Sequence, residues 1–114
     1  MSKQFHGRTE DANAPFLDAK FWTPGAKISG TVARTFGSEN GPCYVLDLID
    51  PVRLDGESAD QVSIGNLTGF RMALSAAGLE SLITGDQVHL ECTGKTSTRK
   101  GSPRVNFEIE VNRP

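Results

Sequence analysis

The chain is poor in the residues from which most protein chemistry is built. It has two cysteines, two histidines and one tryptophan among 114 residues. Cys43 and Cys92 can form at most one disulfide, and neither has a second cysteine at metal-binding spacing, so a disulfide framework and a thiolate metal site are excluded. Cys92 alternates with Val88 and Leu90 and reads as a small buried strand residue. His6 and His89 lack the neighbours that a zinc site or a catalytic triad requires. There is no EF-hand loop, phosphate-cradling glycine loop or nucleophile elbow. Asp47, Asp50, Asp55 and Glu57 are acidic, but the last two fall in what reads as a solvated loop. Neither an enzyme nor a cofactor is expected. No apolar run approaches the ~20 residues that span a bilayer, and Met1 to His6 has no apolar signal core. The expectation is a cytoplasmic protein with no membrane partner.

What is present is enough for one hydrophobic core: 37% apolar and 23% charged residues. Residues 1–25 are polar and irregular and read as an N-terminal arm, with 26–114 as the folded domain. In the arm, Phe5 and Phe16 are isolated apolar points. Trp22, just before Pro24-Gly25, reads either as a lid on one end of the core or as a stacking platform.

Ala26 to Phe36 reads as a first strand. Gly30 in its middle signals a bulge or a sharp bend. A turn follows at Gly37 to Pro42. Tyr44 to Ile49 alternates as a second strand, which Asp50-Pro51 ends. Arg53 to Asp60 reads as an exposed acidic loop, and Gln61 to Gly65 as a short third strand. Then the period changes. Phe70, Leu74, Ala77 and Leu82 recur at helical spacing between Thr68 and Leu82, with Asn66 or Thr68 as cap and Gly78 inside the helix. Gln87 to Thr93 and Val105 to Val111 alternate again, as strands four and five.

Between those last two strands lies Gly94 to Arg104, with Lys95, Arg99, Lys100 and Arg104 and no acidic residue. The whole chain carries −2, so this +4 stretch leaves −6 on the remainder. A cationic hairpin on an acidic body points to a local polyanion site as much as to a solvated tip.

The order strand, strand, strand, helix, strand, strand, with a mid-strand glycine in the first and Gly85-Asp86-Gln87-Val88-His89-Leu90 leading straight into the fourth, resembles the OB-fold, an all-β five-stranded Greek-key barrel with one helix. The resemblance covers Ala26 to Val111. It implies oligonucleotide or oligosaccharide binding across strands two and three, flanked by the loops Gly37 to Pro42 and Gly94 to Pro103. The chain looks similar to compact single-stranded-DNA-binding proteins of bacteria and their phages, without the linker and acidic tip of the bacterial housekeeping type. The resemblance therefore implies non-specific binding of single-stranded DNA, with RNA an alternative ligand, in replication, recombination or repair. Lys95, Arg99, Lys100 and Arg104, helped by Lys27 and Arg34, would follow the phosphates. Phe36, Tyr44 and Trp22 are the stacking candidates, and Asn106 lies well for contact. Asp47, Glu108 and Glu110 mark solvent-facing sheet. A homo-oligomer would gather several weak sites. The competing expectation is an OB-fold interaction module or assembly subunit that binds no nucleic acid. An oligosaccharide binder would need exposed aromatics beside amide side chains, and few are present.

Overall fold

The computed structural model describes residues 14–18, 20–38, 41–65, 67–99, 101 and 103–114. Phe5, His6 and Asn66 lie outside them. Among the described residues five strands, β1 (Lys27–Ser38), β2 (Gly41–Leu54), β3 (Glu57–Ile64), β4 (Gln87–Thr96) and β5 (Arg104–Asn112), and one helix, α1 (Thr68–Ala76), follow in the expected order. All neighbouring strands are antiparallel, in a single sheet ordered β3-β2-β1-β4-β5. Among the described residues no strand pairing joins β3 to β5. The helix follows β3 and packs on β5. It approaches so closely that a Cβ on Gly69 would lie 1.8 Å from the Val105 carbonyl oxygen. No helix among the described residues is long and apolar enough to cross a membrane.

Every strand contributes to one core. Ile28 and Val32 of β1, Tyr44 and Leu46 of β2, Val62 and Ile64 of β3, Val88, Leu90 and Cys92 of β4, and Val105 of β5 enclose Phe70 and Leu74 of the helix. Phe70 lies 6.0 Å from the Tyr44 ring and 6.3 Å from Phe107, and Phe107 lies 4.8 Å edge-on from Trp22. These period-two sets follow from the pleat, which sends alternate side chains inward.

β1 holds the sheet together by pairing on both edges, with β4 over residues 27–31 and with β2 over residues 30–38. At the overlap a Cβ on Gly30 would meet the Asp47 carbonyl oxygen at 2.3 Å, so the glycine permits close approach of two backbones. The bulge itself falls between Val32 and Arg34.

Four local expectations are corrected. Asp50-Pro51 does not end β2. The β2–β3 ladder is interrupted between Asp47 and Val52, and a proline can occupy such an interruption because no ladder donor is needed there. The expected loop from Arg53 to Asp60 is instead a hairpin tip, turning on Asp55 (φ 51°) and Gly56 (φ 83°), the two-residue geometry that Asp-Gly favours. The helix stops at Ala76 rather than Leu82. Gly78 lies beyond it at φ 84°, with Leu79 N–H donating to the Leu74 carbonyl (2.9 Å) and Gly78 N–H to that of Ser75 (3.0 Å). This is a Schellman closure, so Gly78 terminates the helix and carries no interior penalty. Thr68 is not the cap; Leu67 occupies that position without a side-chain bond.

The arm boundary also moves. Leu17 and Trp22 are core residues, and residues 14–17 run parallel along β3: Leu17 N–H donates to the Ser63 carbonyl (3.0 Å) and Ser63 N–H to that of Pro15 (2.8 Å). From Ala14 onward the chain belongs to the domain. On the sheet face away from the core, Cys43, Val45 and Ser63 are buried as well. The Ser63 hydroxyl donates to the Ala14 carbonyl there (2.9 Å).

Candidate nucleic-acid interface

The basic hairpin extends the β4–β5 ladder. Lys95 pairs with Val105 and Thr96 with Arg104, after a bulge between Cys92 and Gly94. Lys95, Thr96, Ser97, Thr98, Arg99, Gly101 and Pro103 are all exposed. Lys100 lies outside the described residues. Arg104 is half-buried and held in place: its Nε donates to Asn106 Oδ1 (3.0 Å) and its Nη1 reaches Met72 Sδ on the helix (3.6 Å). Asn106 Nδ2 in turn donates to the Thr96 hydroxyl (2.8 Å). Thr96, Arg104 and Asn106 therefore form one bonded unit across the hairpin base, which limits how far Arg104 can swing.

The other expected cations are elsewhere. Lys27 is exposed, but the register sets it opposite Glu91, which itself pairs with Glu108; the next row joins Ser29, His89 and Glu110. Lys27 thus belongs to the acidic outer face of β4 and β5. Arg34 lies toward the far end of β1, roughly 23 Å away at the rise of a strand. Its Nη2 donates to Gln61 Oε1 (3.4 Å), and Gln61 Nε2 donates to Asp47 Oδ1 (2.8 Å), so it joins a polar chain across β1, β2 and β3.

Two of the three stacking candidates are corrected. Trp22 is 0% and Tyr44 2% exposed. Tyr44 spends its hydroxyl on the Leu82 N–H (3.2 Å), and Trp22 is wedged between Phe21 and Phe107. Neither ring presents a face to solvent. Phe36 is exposed, and beside it stands Phe16, which sequence reading passed over as an isolated apolar point. Nothing in the sequence marks Phe16, because its position depends on the pairing of residues 14–17 with β3. Thr96 and Met72 were missed for a similar reason: their contacts to Asn106 and Arg104 cross between elements.

Two clefts, of about 380 and 450 Å³, flank the β2–β3 hairpin rather than the basic one. The larger is lined by Asp55, Glu57 and Asp60, a setting that disfavours phosphate. Among the described residues no group of three His, Cys, Asp or Glu side chains is placed to hold a metal ion.

At the root of the β4–β5 ladder, just beyond the final pair Gln87–Asn112, buried Asp86 receives Arg113 in a two-pronged bond: Nε to Oδ1 and Nη2 to Oδ2, both 2.9 Å. The Ile83 N–H also donates to Oδ2 (2.9 Å). The Arg113 guanidinium, aided by that N–H, holds the Asp86 carboxyl below its ordinary value despite burial. No family model matches the chain, and no curated protein or solved structure does either.

Proposed function

We propose that this chain is an OB-fold protein that binds single-stranded nucleic acid, DNA in the first instance, without sequence preference. The supporting observation is the exposed β4–β5 hairpin, which gathers Lys95, Arg99 and Arg104 with no acidic residue between Gly94 and Arg104. The sheet order β3-β2-β1-β4-β5, with the helix between β3 and β4, supports the OB reading. In that fold the loop between strands four and five is a binding element. Binding would rest on cations along the phosphates. The acidic outer face of β4 and β5 would keep the strand on the hairpin side, and a role in replication, recombination or repair would follow from such binding.

One observation favours the alternative, an assembly subunit. Cys43, Val45 and Ser63 are buried on the outer face of β2 and β3, where the OB resemblance implies an open binding surface.

A salt titration of labelled oligo-dT, followed by fluorescence anisotropy with oligo-U in parallel, separates the two readings. If three hairpin cations each meet one phosphate, log affinity falls against log salt with a slope of about −2. No binding at low salt, or binding indifferent to salt, would favour the assembly subunit.

A further inference from the structure

We infer that the open edge of β5, from Phe107 to Val111, takes an extended peptide of alternating basic and apolar residues as a further strand. The inference stands apart from the nucleic-acid reading and uses the part of β5 away from the basic hairpin.

The backbone sets the edge. Cys92 N–H donates to the Ala26 carbonyl (2.8 Å), and the Cys92 carbonyl accepts from the Gly25 N–H (2.9 Å), so both groups point away from β5. The β4–β5 bonds therefore run through the alternate pairs Glu91–Glu108 and His89–Glu110. The N–H and C=O of Phe107, Ile109 and Val111 then point away from β4. The Val105 carbonyl confirms the direction, since it faces Gly69 of the helix. Beyond Val105 no strand pairs with this side of β5, and no other backbone bond takes up these groups among the described residues. Such an edge is a template for another strand.

The side chains select the occupant. Toward the core, Phe107 packs on Trp22 and Phe70. Phe107, Ile109 and Glu108 line a cleft of about 280 Å³ with Ala73, Ala76 and Ala77 of the helix. Those small side chains leave room for an apolar one on an added strand. On the outer face the charges are unbalanced. The register runs Lys27, Glu91, Glu108 across one row and Ser29, His89, Glu110 across the next. Glu91 has a cation on one side and a like charge directly opposite on the other, which is unfavourable. No ion pair or hydrogen bond among the described residues involves Glu108 or Glu110. A cation opposite each would complete both rows. The two glutamates stand two residues apart, so the cations must recur with period two, with an apolar residue between them over Ile109.

A second copy does not fit this edge. Two β5 strands paired antiparallel about Ile109 would set Glu108 against Glu110, like against like. The basic hairpin of another copy lacks the alternation, running Lys95-Thr96-Ser97-Thr98-Arg99.

The probe is a labelled nonapeptide of alternating Lys and Val, added to the full chain at low salt and followed by anisotropy. It is expected to bind about tenfold or more tightly than a nonapeptide of the same composition arranged in two blocks. N-methylation of its Val residues, whose backbone groups would face β5 in an antiparallel pair, is expected to abolish binding, and N-methylation of its Lys residues is not. Glu108→Lys with Glu110→Lys, both at exposed positions, is expected to lose this peptide and gain one of alternating Glu and Val, a reversal that a misfolded variant would not show. Equal binding of the alternating and block peptides, or of the two methylated forms, would overturn the inference and leave oligo-dT binding untouched. A dimer of the chain alone, dissolved by excess alternating peptide in light scattering, would give the edge to a second copy and overturn it as well.

Discussion

The β2–β3 and β4–β5 hairpins are built alike and charged oppositely. The ladder pairs Gly30 with Leu48 and Lys27 with Glu91, so both hairpins continue past the N-terminal end of β1, one on either side. The β2–β3 hairpin closes on two residues, Asp55 and Gly56, and Arg53 Nη2 donates to the Gly56 carbonyl across the turn (2.7 Å). It carries Asp50, Asp55, Glu57 and Asp60. The β4–β5 hairpin closes on the wider stretch 97–103, with Gly101 at φ 93°, and its charged residues between Gly94 and Arg104 are all cations. A tight turn specifies register and leaves no room for a ligand. A wide turn specifies register poorly and can adapt its backbone to one. The difference gives this end of the molecule an electrical polarity, attractive to phosphate on one side and repulsive on the other, over a range of about 10 Å at 0.1 M salt.

The largest expected effect comes from reversing that polarity. Lys95→Glu with Arg99→Glu should weaken oligo-dT binding by about a hundredfold at low salt and flatten the salt slope by about 1.4, or 0.7 for each lost phosphate contact. Asp55→Lys with Glu57→Lys should strengthen binding only a few-fold, since it removes repulsion without creating a bonded site. Anisotropy on the two double variants sharpens the contrast if the first effect dominates. Equal effects would show that general charge, not the β4–β5 hairpin, controls binding.

The two hairpins also show what could be read from the sequence. Strands four and five were legible because Val88, Leu90 and Cys92, and then Val105 to Val111, alternate against a core. The β2–β3 tip was not legible: Val52, Leu54 and Ala59 pack on the core, but Pro51, Asp55-Gly56 and the acidic residues around them read as loop chemistry. Pro51 misled for a related reason: it breaks a regular ladder but fits an interrupted one. The helix was legible in kind but not in length, since Leu79 and Leu82 keep helical spacing after Gly78 has turned the chain. Of the candidate site, the cations of the hairpin were legible as a charge cluster. The placement of Lys27 among glutamates, the burial of Trp22 and Tyr44 and the pairing of Phe16 with Phe36 depend on register and curvature, which a linear pattern does not encode.

A smaller effect, on stability, comes from the root of the basic hairpin. Asp86 joins Arg113 beyond the last β4–β5 pair, and its backbone carbonyl accepts from the Val32 N–H of β1 (2.9 Å). Asp86→Ala strands the Ile83 N–H and frees the C-terminal end of β5, at a cost of about 2 kcal/mol. Because the folded carboxyl titrates below its ordinary value of 3.8, this contribution is complete above that value and is lost as pH falls through the lower folded one. The stability gap between wild type and variant, measured by denaturant unfolding, should be widest near neutrality and narrow below pH 3.8. A gap that widens in acid would contradict the assignment of the effect to the ionised pair.

The smallest effect tests whether the acidic hairpin is shape alone. Gly56 sits at φ 83° with nothing within 4 Å of where a Cβ would be. Gly56→Ala therefore meets no clash and loses only the backbone preference, on the order of 1 kcal/mol. A fall of about 4 °C in thermal midpoint would register it. Oligo-dT affinity should not change, because the turn lies on the repulsive side and the charges stay where they were. If affinity moves with the turn geometry, the two hairpins act on the strand together, and the contrast between a shaping hairpin and a binding hairpin fails.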